Sequence, residues 1–190
     1  MTAPLPQLER ATKEHALLFA RAQFERGERV DMRTLADSLA VGRTTLYRWV
    51  GDREQLLAEL LAQWTDELFD AIAPAARGEG IDRALDTVRR FMELSAGFEP
   101  LADFARREPT LALKILVSPR GVVQDRLRVR ITEALQREQP SGAPPVLTDV
   151  VDVLIQVGAA LQWTPIVIGE APEIDRALEL GRTVLANHLA

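Results

Sequence analysis

The chain has 190 residues, 23 Lys+Arg against 28 Asp+Glu for a formal charge of -5, two His and no Cys. That length supports one large domain or two small ones with a real core, and the missing cysteines exclude disulfide frameworks, thiolate zinc sites and cysteine nucleophiles. A hydrophobic fraction of 47% fits a soluble globular protein, and the acidic balance, averaged over the whole chain, speaks against a nucleic-acid binder.

Met1 to Arg10 has no apolar run of the kind a secretory signal needs, so a cytoplasmic protein is expected. Leu8, Ala11, His15, Leu18 and Ala22 recur at spacings of three and four and predict one stripe of a first helix, with His15 as a packed core residue and Gly27 as its end. Asp31 is placed to cap a short helix carrying Met32, Leu35, Ala36 and Leu39. Ala40-Val41-Gly42 interrupts it, and Arg43 to Val50 forms a second short run. Asp52 and Gln55 read as the capping box of a long helix whose apolar side runs from Leu56 to Ile72, ended by Pro74 and Arg77–Gly80.

Further helices are predicted over Asp82–Gly97, Glu99–Arg107, Pro109–Leu116, Pro119 to about Glu138, Leu147–Gly169 and Pro172–Leu189, with a Pro-rich loop from Gln139 to Pro145. The longest uncharged stretch, Val153 to Gly169, falls short of the roughly 20 apolar residues of a membrane span and carries two Gln, so a buried or interface helix and no membrane partner are predicted. The chain reads as all-α.

Two short helices joined by a three-residue turn form the unit that presents a recognition helix to the DNA major groove. Here it spans Thr34 to Val50. Leu46 and Val50 share one side of the second helix and must face the core, which turns Thr44 and Arg48 outward and puts Arg43, Thr45 and Tyr47 at the margins of that outer face. Arg pairs bidentately with guanine, and Thr offers a hydroxyl and a methyl. Tyr47 and Arg48 have the reach for phosphate oxygens, as does Arg53 at the start of the next helix. A helical hairpin with a solvated polar face has the same composition; the joint pattern of core positions, turn length and Thr-Leu-Tyr favours the DNA-binding alternative.

Leu35-Ala36, Val41-Gly42 and Thr45-Leu46-Tyr47, followed by Asp52-Arg53-Glu54-Gln55-Leu56-Leu57, resemble the N-terminal domain of TetR/AcrR-type transcriptional regulators. The resemblance implies a three-helix DNA-binding domain over residues 1–51 and a helical effector-binding and dimerisation domain over 52–190. It makes Arg43, Thr44 and Thr45 base readers, with Tyr47, Arg48, Trp49 and Arg53 on the backbone and Thr34 as a further phosphate contact. Two positions depart from the family's habit: Ala40 stands where Gly is frequent in the turn, and Gly42 where Ser often caps the recognition helix. Phe98–Phe104, Arg107-Glu-Pro109 and Gly121–Gln124 resemble the QsdR-type subgroup, whose name comes from control of quorum-sensing signal degradation and implies a lactone-like effector.

The C-terminal part offers large side chains for an apolar pocket between helices, or for plain core: Trp64, Phe91, Phe98, Phe104 and Trp163, with Gln156 and Gln162 inside an apolar run. The last two helices read as a homodimer interface through Leu154, Val157, Gly158, Leu161, Leu178, Gly181 and Leu185. By the resemblance they pair with their copies as a four-helix bundle, and two-fold pairing serves two DNA half-sites.

Expected, then, is a homodimeric repressor of a double-stranded DNA operator, released by a small effector; an activator, or a helical interaction module without DNA binding, are the alternatives. Neither a nucleophile elbow nor a phosphate loop is present, His15 and His188 lack metal-ligand spacing, and no enzyme, metal or cofactor is predicted. The charge also divides. Residues 1–64 hold nine Lys+Arg and nine Asp+Glu, residues 65–190 hold 14 and 19, and the stretch from Arg33 to Arg53 has four Arg and two Asp. The acidity belongs to the second domain.

Overall fold

The computed structural model describes residues 11–139 and 147–189. Among them the structure is all-α, with ten helices: α1 (Lys13–Glu25), α2 (Met32–Ser38), α3 (Arg43–Val50), α4 (Arg53–Ile72), α5 (Ile81–Gly97), α6 (Glu99–Arg107), α7 (Pro109–Leu116), α8 (Val122–Glu138), α9 (Thr148–Val167) and α10 (Ile174–Leu189). Leu8 and most of the expected Pro-rich loop lie outside the described residues.

Local chemistry sets most boundaries. Asp31 Oδ1 accepts from the N–H groups of Arg33 and Thr34 at 3.0 and 2.9 Å. In the box that opens α4, Gln55 N–H donates to Asp52 Oδ1 at 2.8 Å and Asp52 N–H donates back to Gln55 Oε1 at 2.9 Å. Thr12 and His15 make the same reciprocal arrangement at α1, so His15 caps a helix and is not the core histidine expected. The stripe read on α1 also lies beside the buried one, one to two residues away. Ala16, Ala20 and Phe24 are buried, whereas Leu18 is 61% exposed. α8 begins at Val122, three residues after Pro119, with Gly121 as its N-cap.

α1 and α3 pack on α4 and α2 packs on α1 and α3, with Leu35, Leu39, Leu46, Leu56 and Leu57 buried in the core. α4 continues along α8; α5 and α10 pack together, and α10 lies along α9. Pro165 sits inside α9. Having no N–H, it leaves the carbonyl of Leu161 without its helical donor, and the N–H of Glu173, just before α10, fills that place at 2.9 Å. One hydrogen bond thereby fixes the corner between the last two helices.

Candidate nucleic-acid interface and interior cavity

α3 turns Leu46 and Val50 into the core and leaves Arg43, Thr44, Tyr47 and Arg48 exposed, with Thr45 half-buried at the edge. Gly42 caps α3 with no side-chain hydrogen bond, so the first N–H groups of the helix face outward unsatisfied by a cap. The neighbouring arginines of α1, the loop after it, α2 and α4 differ from those of α3 in their pairing. Arg21, Arg26, Arg29, Arg33 and Arg53 each hold a carboxylate. Arg43 and Arg48 have no such partner among the described residues, and they are the two arginines of α3. Thr34 is exposed on α2, its hydroxyl donating to Asp31 at 3.1 Å. Trp49 is half-buried and lines a cleft with Leu17, Lys13, Glu54 and exposed Arg120, a cleft that takes in neither Arg43 nor Arg48.

Arg53 departs from the expected phosphate role. Its side chain is 17% exposed, its two terminal nitrogens donate to both oxygens of Glu108 at 2.6 and 2.7 Å, and Nε donates to the Val30 carbonyl at 2.6 Å. These three bonds occupy three of the five N–H donors of Arg53 and hold its side chain within the protein. Glu108 is pulled below the ordinary carboxylate range, first by the hydrogen bonds from Arg53, with Arg29 and Arg107 adding to the effect. Arg107 also donates to the Gly27 carbonyl at 3.0 Å. The joint between α6 and α7 is thus bolted to the loop between α1 and α2. The sequence showed a cation in the first turn of a helix, but its partner lies 55 residues away, beyond any local pattern.

Beside the bolt runs an aromatic seam. Phe104 meets Phe24 edge-on at 5.6 Å, Phe24 lies 6.5 Å from Phe98, and Phe98 stacks on Trp64 at 5.2 Å. Phe98 and Phe104 belong to this seam and do not line the interior cavity for which they were candidates. That cavity, about 50 Å³, lies among α4, α5, α8 and α9 and takes Trp64, Phe91 and Trp163 into its wall together with Thr65, Ser95 and Gln162. No ionisable side chain lines it. Gln162 Nε2 donates to Ser95 Oγ at 2.7 Å and to the Met92 carbonyl at 3.3 Å. Gln156 lies outside the wall: its Nε2 donates to Gln124 Oε1 at 2.8 Å, and Gln124 passes the link to the Leu116 carbonyl. A neighbouring amide thus satisfies Gln156.

The family description "Tetracyclin repressor-like, C-terminal domain" matches residues 79–186. The chain belongs to the TetR family of transcriptional regulators. A solved structure of the R. erythropolis transcriptional repressor QsdR from the TetR family superposes with a TM-score of 0.84 at 29% identity, covering 92% of this chain and 94% of that one. No curated protein sequence matches.

In this TetR-family chain the expected dimer residues divide between two sides. Leu178, Gly181 and Leu185 are buried within the protomer, and Leu154 and Gly158 border interior cavities. Leu185 is wholly buried, so it cannot touch a second copy. Periodicity identified apolar stripes on α9 and α10, but one stripe on each faces the chain's own core. The outward apolar groups are Val153 on α9, Ile168 just after it and Leu180 on α10, all exposed, with Val157 half-buried beside them, whereas Leu161 packs against the core. α9 is long and apolar enough to cross a membrane, but 39% of its apolar window is buried inside the bundle.

Proposed function

We propose that this chain is a cytoplasmic, homodimeric, sequence-specific repressor whose affinity for a double-stranded operator is set by a small, largely apolar effector. The observation that carries the reading is the pair Arg43 and Arg48, left without carboxylates on the exposed face of α3 where the neighbouring arginines are neutralised. A charged surface of this kind contributes sequence-independent affinity through phosphates, and Arg43, Thr44 and Thr45 add base readout. Tyr47 and Arg48, with Thr34, hold the backbone. Trp49 and Arg53 act from beneath, by fixing α3 and α4.

The neutral cavity is the effector site, since its apolar wall with a few amide and hydroxyl groups is the usual chemistry of a small-molecule pocket. Residues 1–51 form the reading head and residues 52–190 the sensing body, joined where α3 turns into α4, by the aromatic seam, and by Arg53 and Arg107 donating to the Val30 and Gly27 carbonyls. An effector shifts operator affinity only by binding the two conformations of that joint unequally.

Selection of tight sites from randomised duplex DNA tests the reading. Arg43→Ala lowers affinity for the selected site by about 1–3 kcal/mol and relaxes base preference. Unchanged affinity and preference would remove Arg43 from the readers, and an absence of salt-dependent DNA binding by the wild-type protein would overturn the function itself.

A further inference from the structure

The cleft beside Trp49 is larger than the interior cavity, about 500 Å³, and is walled by α1, α3, the first turns of α4, α7 and the turn into α8. It therefore lies between the reading head and the body. Trp49 of α3 shares the wall with Leu17, Ala58 and Ile115, so an indole and three aliphatic side chains line a recess at the protein surface. None of its wall residues belongs to the interior cavity.

The charge of this wall runs against that of the chain. Lys13, Lys114 and Arg120 face Glu54 and Glu59, an excess of one positive charge on a protein whose formal charge is -5. Glu54 is occupied by Lys114 at 2.7 Å, and Glu59 accepts from Gln63 Nε2 at 3.1 Å. Lys13 and Arg120 are exposed, and neither is ion-paired among the described residues. α8 opens in the same wall at Gly121 with no side-chain cap, so the positive end of its dipole adds to Arg120.

We infer that the cleft is a ligand site for a flat organic anion: an aromatic body stacks on Trp49, and its carboxylate pairs with Arg120 while Lys13 adds charge to the same wall. A duplex phosphate would use the cations alone, whereas the apolar surface around Trp49 fits an occupant with a carbon body of its own. Such a ligand touches the recognition helix and the α7–α8 turn together. Its occupancy fixes the head against the body and changes DNA affinity. That last step rests on the DNA-binding reading; occupation of the cleft does not.

Indole N–H resonances of the full-length protein locate the ligand, because its three Trp report separate places: Trp49 the cleft, Trp64 and Trp163 the interior cavity. The probes are 2-naphthoate, its neutral isostere 2-naphthamide, and octanoate as an anion without a ring. 2-Naphthoate shifts the Trp49 resonance, assigned through Trp49→Phe, and leaves the other two in place. 2-Naphthamide and octanoate each bind about fivefold more weakly. Arg120→Gln, at an exposed position, lowers 2-naphthoate affinity about fivefold and removes its advantage over the amide, and Lys13→Gln gives a smaller loss. Shifts confined to Trp64 or Trp163, or equal affinity for 2-naphthoate and 2-naphthamide, overturn the site. An Arg120→Gln variant that lowers salt-dependent DNA affinity but keeps its 2-naphthoate affinity assigns the cation to phosphate, which also overturns it. 2-Naphthoate bound at Trp49 without any change in affinity for selected DNA overturns the coupling. Absence of salt-dependent DNA binding by the wild-type protein overturns the DNA-binding reading instead, and the resonances still decide the site.

Discussion

Gly51 makes the turn from α3 into α4 at φ 70° and ψ -150°, a backbone state essentially confined to glycine that costs an L-residue about 1–3 kcal/mol. A Cβ there falls 1.8 Å from Gln55 Oε1, the atom that accepts from Asp52 N–H in the capping box. Ala40 also has a positive φ, 52°, in the preceding turn, and its side chain is exposed. Gly51→Ala therefore both strains the turn and dislodges a cap worth about 1 kcal/mol. We expect a loss of about 2 kcal/mol in urea unfolding, and a loss below about 0.5 kcal/mol would show that Gln55 swings aside freely. Residues acting within one turn of the chain were the legible ones: Asp31 and the Asp52–Gln55 box were read from spacing alone. His15 was misread because a histidine three residues after Thr12 caps a helix as readily as it packs, and the helix start is the deciding fact.

At the scale of elements, the α6–α7 joint is the second connection between reading head and body, after α4 itself. Glu108 is held below its ordinary value of 4.5 chiefly by Arg53, so its pairing contributes stability that is fully present above that value. The contribution is lost as pH falls through the lower folded value, because the folded state then binds the proton the unfolded state already carries. Glu108→Gln should be less stable than wild type at neutral pH, and the gap should close on acidification below about pH 4.5. Denaturant unfolding at several pH values measures this; a gap constant with pH would assign the effect to packing. Hydrogen exchange at residues 27–30 should quicken in the same variant, because the Val30 and Gly27 carbonyls are what the bolt grips. The predicted spans Glu99–Arg107 and Pro109–Leu116 coincide with α6 and α7. Local sequence could not give the Arg53–Glu108 pairing, since a cation in a helix's first turn looks the same whether it faces a phosphate or a carboxylate.

For the whole molecule the decisive surface is the outward side of α9 and α10. Val153→Glu and Leu180→Glu place a charge on exposed apolar positions and should convert dimers to monomers on sizing chromatography without loss of helicity. Intact dimers in both variants would move the interface elsewhere. Leu154→Glu tests something else, since Leu154 borders interior cavities and a charge there attacks the core. The all-α fold was open to sequence reading because 3.6-residue periodicity runs through the chain, but periodicity reports an apolar face without naming its neighbour. Leu178 and Leu185 were assigned to a partner for that reason, though they meet their own chain. On α1, closely spaced alanines left two adjacent stripes indistinguishable, and the Leu18 side of the helix faces out. The geometry of α4 bears on how small the effector's work can be. Thr65 lines the cavity and Arg53 opens the same helix 12 residues earlier, about 18 Å away at 1.5 Å per residue. A pivot of about 5° at Thr65 sweeps the Arg53 end through about 1.6 Å by that lever arm, more than half a hydrogen-bond length. In the proposed reading, a displacement too slight to open the bundle is therefore enough to shift α3, which adjoins that end of α4 through Gly51, relative to a base edge.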